Sequence, residues 1–269
     1  MSLRVTPDPT FAARLDEAQR PLIGVWATTG NALVTEVLAG GGLDWVLIDA
    51  EHAPNDLQTI LAQLHALSGY PITPLVRLPV GEVAIIKQYL DLGVQNLLVP
   101  MVETPEQAAD LVRAVRYPPG GVRGVGSSLA RSSRWNRFDD YLENASGTVS
   151  LFVQIESVTG AANSEAIAAV DGVDGLYVGP ADLAASMGVL GQQGHPDVVA
   201  ETERVLGIAR AAGPHAGVNA IVPETADRYL AAGAEFVSVS ADVTLLARGV
   251  EALAARFIGD GPSEERAGY

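Results

Sequence analysis

The sequence predicts a single (β/α)8 TIM barrel, an α/β fold in which parallel strands alternate with helices. This prediction follows from the length of the chain, from a helix-to-strand pattern that recurs along it, and from about eight strand-like segments. A chain of 269 residues, 48% of them hydrophobic, is long enough for one large core and short for two domains. We therefore expect one barrel domain over residues 1–269, with tails of about residues 1–20 and 258–269 outside the core.

The recurrent pattern is a helical stretch that ends in glycine or another small residue and leads directly into a short apolar run. A helix with a glycine cap that precedes a buried parallel strand has this signature. Amphipathic helical segments separate the strand-like runs. The pattern occurs at residues 38–49, 90–100, 170–180 and 230–240, and further strands are predicted near residues 21–28, 72–78, 149–155 and 215–219.

An open, doubly wound sheet would also alternate strands with helices. The count of about eight strands favours the closed barrel, and the first strand leads into GVWATTGNAL rather than into a G-x-G-x-x-G turn. One connection, residues 117–147, is unusually long. Because long loops in compact domains are usually functional, we expect this one to serve the site or an assembly.

Charge and composition exclude several classes of partner and ligand. With 32 acidic and 17 basic residues, the net charge of −15 disfavours nucleic acids and anionic membranes. Apolar runs are far shorter than the roughly 20 residues that span a bilayer, and the N-terminus lacks signal-peptide features, so we expect a cytoplasmic protein. The chain has no cysteine, so a bound metal would be a hard cation held by oxygen or imidazole ligands.

The active site of a barrel enzyme lies at the C-terminal ends of its strands. Polar residues that directly follow the predicted strands are therefore the candidates for chemistry. They are Trp26, Asp49, Glu51, His52, Arg77, Gln154, Glu156, Asp182 and Asn219.

Glu156 and Asp182 follow the fifth and sixth predicted strands and form a candidate metal site. Neighbouring strands lie about 5 Å apart, so the two carboxylates can converge on one cation. Such a sparse set of ligands leaves positions for water and for a chelating ketone, which the metal would polarise. Alternatively, Glu156 pairs with an arginine, and Asp182 is only a first-turn acid that the helix dipole favours.

His52 follows the second strand, and Asp49 and Glu51 are its nearby acidic residues. This setting suits a general base that carboxylates orient, although a lone histidine is often structural.

Arg77 ends the third strand, where its cation could bind a carboxylate or a developing enolate oxygen, or could pair with the acids of the second strand. Gly179, Pro180 and Ala181 begin a helix at the same edge of the barrel. The amides of Ala181 and Asp182 could therefore bind a substrate carboxylate.

Several long motifs occur in a fixed order: LIDAEHAPNDLQTILAQL, the strand with Arg77, LLVPMVETPEQA, YPPGGVRGVGSSLARSSRWNR, FVQIES and VDGLYVGPADLAASMG. Together they resemble the HpcH/HpaI aldolase family over about residues 22–257, in particular its 4-hydroxy-2-oxoheptanedioate and 2-dehydro-3-deoxyglucarate aldolases. The resemblance implies a metal-dependent pyruvate aldolase, with a role in the catabolism of aromatic compounds.

The resemblance also implies roles for individual residues. Glu156 and Asp182 would hold Mg²⁺, Mn²⁺ or Co²⁺, and pyruvate or hydroxypyruvate would chelate it. His52 would act through a water molecule, and Arg77 would stabilise the enolate. The remaining implied residues are Ala181 and Asp182 for the carboxylate, Gln154, Glu51 and Asp49 as orienting groups, and Asp91 as an acid near the histidine. A homohexamer that exchanges its last helix, near residues 243–257, is implied as well.

Asn219 departs from the leucine of related heptanedioate aldolases. A polar amide at the rim implies an aldehyde with more hydroxyl groups than succinic semialdehyde. The loops after the seventh and eighth strands lack a glycine-rich phosphate cradle. Lys87, the only lysine, lies on a helical stretch, which disfavours an imine mechanism.

Two other functions remain open at this point. One is an acyl-CoA lyase related to citrate lyase β subunits, which would need a basic entrance for the nucleotide. The other is a catalytically silent barrel used for ligand binding or assembly.

Overall fold

Eight strands form in the computed structural model, which describes residues 6–259, and they pair in parallel and in chain order until the last strand meets the first. The predicted closed barrel is confirmed. The strands are β1 (Leu22–Ala27), β2 (Trp45–Asp49), β3 (Thr73–Arg77), β4 (Asn96–Val99), β5 (Ser150–Ile155), β6 (Gly175–Val178), β7 (His215–Asn219) and β8 (Phe236–Ala241).

Helices surround the barrel and run back from the end of each strand to the start of the next. Within residues 6–259, none of them is long and apolar enough to cross a bilayer. They are α1 (Phe11–Glu17), α2 (Ala32–Ala39), α3 (Leu57–Leu67), α4 (Val83–Asp91), α5 (Pro105–Val115), α6 (Tyr141–Asn144), α7 (Val158–Ala162), α8 (Ser164–Ala168), α9 (Pro180–Ser186), α10 (Pro196–Ala212), α11 (Pro223–Ala231) and α12 (Asp242–Ile258).

Side-chain caps fix where some of these helices begin. Before α3, the Asp56 side chain accepts from the Thr59 amide, and the Thr59 hydroxyl binds the Asp56 amide in return. Thr104 and Gln107 form the same reciprocal pair at the start of α5. Such capping boxes satisfy helix amides that would otherwise lack acceptors. They fix the residues at which the loops after β2 and β4 end.

An aromatic floor closes the N-terminal end of the barrel. The ring of Phe11 lies 5.4 Å from Trp45, 5.5 Å from Phe152 and 5.4 Å from Phe236, centroid to centroid. A Cβ atom at Gly24 would lie 2.2 Å from the Trp45 ring, so glycine is required where this large side chain fills the barrel.

The expectation that residues 1–20 lie outside the core is wrong for Phe11 and Leu15, which are buried within the floor cluster. The open end of a barrel needs an apolar side chain to fill it, and Phe11 does so while its amide donates to the Asn96 side chain. Residues 1–5 and most of the tail expected at residues 258–269 lie outside the described residues.

The long connection, residues 117–147, contains α6 and short 3-10 turns. It packs against the C-terminal end of α4, where Arg131 Nη1 donates to the Leu92 carbonyl at 2.9 Å. Because α4 runs antiparallel to the strands, the connection lies at the N-terminal end of the barrel. Within one chain it is therefore remote from the strand ends that carry Arg77.

Candidate active site

Asp49 and Arg77 stand opposite each other at the ends of β2 and β3, which pair in register at these residues. Arg77 Nε and Nη2 donate to the two carboxylate oxygens of Asp49, each at 2.9 Å. Both side chains are buried. Burial lowers the pKa of Arg77, but the hydrogen bonds and charge of Asp49 outweigh it, so the net shift is upward. Asp49 thus keeps the guanidinium of Arg77 charged and oriented at the strand ends.

Glu51 lies between this arginine and His52. Its Oε2 atom is 3.0 Å from Arg77 Nη1 and 3.8 Å from His52 Nε2. The contact with Arg77 does not have the angles of a hydrogen bond. In the described part of the chain, this buried oxygen therefore has no hydrogen-bond partner. Burial raises the pKa of Glu51, although the charge of Arg77 opposes the shift. The imidazole of His52 is 66% exposed and can exchange protons with water or substrate.

Glu156 is a buried carboxylate directly after β5. Its oxygens accept from the Met101 amide at 2.7 Å and from the amide group of Gln154. A Cβ atom at Gly179 would lie 2.9 Å from Glu156 Oε2, so glycine makes room for the carboxylate. Burial raises the pKa of Glu156 to about 7, and the charges of Asp182 and Glu51 act in the same direction. A cation at this position would favour the ionised form.

Asp182 lies in the first turn of α9, with Pro180 at the beginning of the helix. It is exposed at the mouth of the barrel, and its charge acts on both Glu156 and Glu51. No side chain caps α9, so the amides of its first turn, including that of Ala181, are not taken by a side-chain cap. That they bind a substrate carboxylate stays a prediction.

The donor set fits a hard divalent cation. Among residues 6–259, no three His, Asp or Glu side chains form a metal centre by themselves. Glu156 and Asp182 supply two carboxylates, and Gln154 Oε1 is a buried acceptor without a hydrogen-bond partner in the same range. Oxygen donors of this kind suit Mg²⁺ or Mn²⁺, which commonly keep several water ligands.

Trp26 contacts Arg77 on one side and Ser238 and Asn219 on the other. The Arg77 guanidinium lies over its ring, 4.4 Å from the centroid. Its indole N–H donates to Ser238 Oγ at 2.7 Å and to Asn219 Oδ1 at 3.2 Å, and Ser238 Oγ also donates to that Asn219 oxygen at 2.8 Å. Because an indole only donates, the Asn219 atom that faces it must be oxygen. The amino group of Asn219 is left to face outward.

A cleft of about 250 Å³ opens beside Asn219. Pro180 and Ala181 form one wall, and Ile221 and Val222 of the loop after β7 line it as well. The cleft therefore adjoins the predicted carboxylate site and is large enough for a small organic group.

Asp91 is the predicted site residue that the structure does not bring to this rim. It ends α4 at the opposite end of the barrel, where its carboxylate lies 3.3 Å from Arg123. A helix that returns antiparallel to the strands has its C-terminus at their N-terminal ends. Within one chain, Asp91 is therefore not close to His52, contrary to the expectation.

Several contributors were not identified from the sequence. Met101 acts through its backbone amide, which leaves no side-chain pattern to recognise. Tyr177 donates to Ser238 within the fully buried interior, because the one hydroxyl proton of Ser238 is directed at Asn219. A phenol inside an apolar strand was a signal that a polar partner lay nearby. Asp242 accepts from the hydroxyls and amides of Thr28 and Thr29, which fixes the loop after β1.

The chain is similar to known proteins over most of its length. The sequence profile described as HpcH/HpaI aldolase/citrate lyase matches residues 22–249. A hydroxypyruvate/pyruvate aldolase of Deinococcus radiodurans is 56% identical over 238 residues, which are 88% of this chain and 86% of that protein. A 4-hydroxy-2-oxo-heptane-1,7-dioate aldolase of Salmonella dublin is 51% identical over 241 residues, 90% of this chain and 92% of that protein.

Among solved structures, a protein of the same family from Burkholderia cenocepacia superposes with a TM-score of 0.87 at 41% identity. The match covers 91% of this chain and 97% of that one. The resemblance seen in the sequence motifs is confirmed. The chain belongs to the HpcH/HpaI aldolase/citrate lyase family.

Proposed function

We propose that the protein is a divalent-metal-dependent aldolase that reversibly cleaves 4-hydroxy-2-oxo acids into pyruvate or hydroxypyruvate and an aldehyde. The chain is an aldolase, and thus a carbon-carbon lyase, as its relatives at 56% and 51% identity are by name. The observation that carries the mechanism is the buried Arg77 cation, which Asp49 holds by two hydrogen bonds at the same strand ends that carry Glu156.

The reaction needs a base and an electron sink. The base removes the proton of the 4-hydroxyl group, the bond between C3 and C4 breaks, and C4 becomes the aldehyde carbon. The electron pair passes to C3 and the 2-oxo group as an enolate, and C3 then takes up a proton. The exposed His52 can take the hydroxyl proton, and Arg77, oriented by Asp49, can stabilise the enolate oxygen.

Glu156 and Asp182 would hold the cation, for which we propose Mg²⁺, Mn²⁺ or Co²⁺. Gln154 donates to Glu156 and keeps its carboxylate directed at the site. When bound, the cation would supply Lewis acidity to the 2-oxo group. Glu51 lies within ion-pair distance of both Arg77 and His52, and we propose that it positions the imidazole.

Asn219→Leu is expected to change the choice of aldehyde. The outward amino group of Asn219 can donate to a hydroxyl oxygen of the substrate, and a leucine cannot. The kcat/KM ratio of glyceraldehyde to succinic semialdehyde should fall by roughly tenfold or more, with little change in the KM for pyruvate. Initial rates of aldol addition with both aldehydes measure the ratio.

Asn219→Asp tests whether the amino group of Asn219 matters or only the polarity of its side chain. The aspartate keeps an oxygen toward Trp26 and Ser238 but has no amino group to offer. The same loss of preference is expected in this variant. An unchanged ratio in both variants would show that Asn219 does not face the aldehyde.

Lys87→Arg should retain activity, and borohydride with pyruvate should trap no adduct. Lys87 lies on α4 outside the barrel, and its Cδ atom is 3.1 Å from the position of a Cβ at Gly124, in the long connection. An amine there cannot reach a ketone held by Arg77. Mass spectrometry of the reduced protein checks this, and a pyruvyl-lysine would contradict the metal-dependent mechanism.

A substrate panel tests the proposed function directly. Pyruvate and hydroxypyruvate would be combined with a series of aldehydes and each metal, and a CoA thioester would be assayed in parallel. We expect carbon-carbon bond formation with the 2-oxo acids only. Cleavage of the thioester without aldol activity would favour the acyl-CoA lyase instead.

We further propose that the protein forms a homohexamer in which α12 packs on another copy. Val250, Leu253 and Phe257 of this helix are exposed in the single chain, a contiguous apolar surface of the kind that marks an interface. Asp91 could then contribute only to the site of a partner. Sedimentation equilibrium of the full-length chain gives the mass of the assembly.

A further inference from the structure

A second cavity, of about 110 Å³, lies at the N-terminal end of the barrel. The first residues of β3 and β4, including Thr73, form its inner wall. Arg14 of α1 and Arg131 and Arg134 of the long connection are among the other residues that line it. Within one chain, the cavity is thus at the opposite end of the barrel from Arg77 and apart from the proposed site of reaction.

Two of these guanidiniums converge on one point. Gly93 follows α4 with a φ angle of +88°, and a Cβ atom there would lie 2.8 Å from Arg131 Nη1 and 3.0 Å from Arg134 Nη1. A residue with a side chain would displace both arginines. The turn at Gly93 therefore allows two cations to approach the same small volume.

The positive charge of this cavity is poorly neutralised. Within residues 6–259, none of the three arginines has a carboxylate within ion-pair distance, and Asp8 is the acid that lines the cavity. Arg131 and Arg134 instead donate to backbone carbonyls, those of Leu92 and Arg131. Burial, together with the charge of Arg134, lowers the pKa of Arg131 to about 10. Burial also lowers the pKa of Arg134, although the charges of Asp8 and Tyr141 oppose this shift. Although the net charge of the chain is −15, positive charges that repel one another lie together in this cavity.

Two hydrogen-bond donors at the cavity also lack an acceptor. Thr73 is 4% exposed, and its Oγ1 atom has no partner among the described residues. Arg14 Nε is buried and equally without a partner there. Unmade hydrogen bonds of buried polar groups are costly and rare, so an acceptor from outside the chain is the simplest explanation.

We propose that this cavity binds one phosphate group, either as inorganic phosphate or as a phosphomonoester. Guanidinium groups bind oxyanions through paired, charge-assisted hydrogen bonds. Arg14, Thr73 and the two convergent arginines approach from different elements of the fold, which suits the spread oxygens of a tetrahedral dianion better than a planar carboxylate. The bound anion would join α1, the start of β3 and the long connection, and would stabilise the fold without competing with pyruvate.

Calorimetric titration of the full-length protein with inorganic phosphate tests the proposal, with sodium chloride added to keep ionic strength constant. We expect one saturable site per chain and a higher Tm with phosphate. Thr73→Val keeps the branched shape of the strand residue and removes the hydroxyl, and Arg134→Gln removes one cation. Each should weaken phosphate binding by roughly tenfold or more. Arg137→Gln, an exposed arginine of the same connection, is the matched control and should bind as the unmodified chain does.

A parallel titration with glycerol 3-phosphate distinguishes the two sources of the group, because a monoester binds only if the cavity is open to the rest of that molecule. The proposal fails if phosphate does not saturate, if Thr73→Val and Arg134→Gln bind it unchanged, or if pyruvate with Mn²⁺ displaces it. It also fails if Arg134→Gln dissociates an oligomer and no variant binds phosphate, since the arginines would then serve a second copy of the chain.

Discussion

Removal of divalent cations with a chelator is expected to abolish aldol cleavage by this protein, and added Mg²⁺, Mn²⁺ or Co²⁺ is expected to restore it. Without a cation, Arg77 alone stabilises the enolate, and burial holds the pKa of Glu156 at about 7. Lewis acidity contributes several kcal/mol to such reactions, so the rate should fall by about 10³-fold or more. Release of pyruvate from a 4-hydroxy-2-oxo acid, followed before and after metal is returned, measures the effect.

Glu156→Gln and Asp182→Asn extend the test to the proposed ligands. Both side chains are at the rim rather than in the apolar core, so we expect weaker Mn²⁺ binding by a folded protein. Glu224→Gln is a matched control, because Glu224 is a first-turn acid of the neighbouring helix α11. Full activity in metal-free protein would refute the metal-dependent mechanism.

His52→Ala is expected to lower kcat by about 10²- to 10⁴-fold, the usual effect of losing a general base. The affinity for Mn²⁺ should hardly change, because His52 Nε2 lies 3.8 Å from Glu51 Oε2 and His52 is not one of the proposed metal ligands. The measurement is the cleavage rate beside a metal titration. His65→Ala, which changes an exposed histidine of α3, serves as the control. Loss of metal in the His52 variant would make this residue a ligand instead.

The sequence predicted the fold well because its signals are local. Glycine after a helix and an apolar run after the glycine each depend on a few neighbouring residues, as at Gly93 before β4. Once the strands are placed, parallel pairing brings their C-terminal ends together. Asp49 and Arg77, far apart in sequence, were therefore assigned to one rim before their hydrogen bonds were seen.

Contacts that depend on which way a side chain turns were not predictable in this way. The hydrogen bond from Trp26 to Asn219 joins residues 193 positions apart, and hydrophobic pattern does not encode its direction. Asp91 is not near His52 within one chain, and a resemblance transfers a residue without saying which subunit carries it. Phe11 was assigned to a tail because a short helix before the first strand carries no periodic signal strong enough to reveal its burial.

The aromatic floor of Phe11, Trp45, Phe152 and Phe236 has a kinetic consequence. Because the floor and the packed interior close the barrel from below, substrates and both products of a cleavage must pass through its C-terminal mouth. Whichever product is held nearer the barrel axis must depart second, and in the synthetic direction it must arrive first. Product-inhibition patterns should accordingly show an ordered sequence of release rather than a random one.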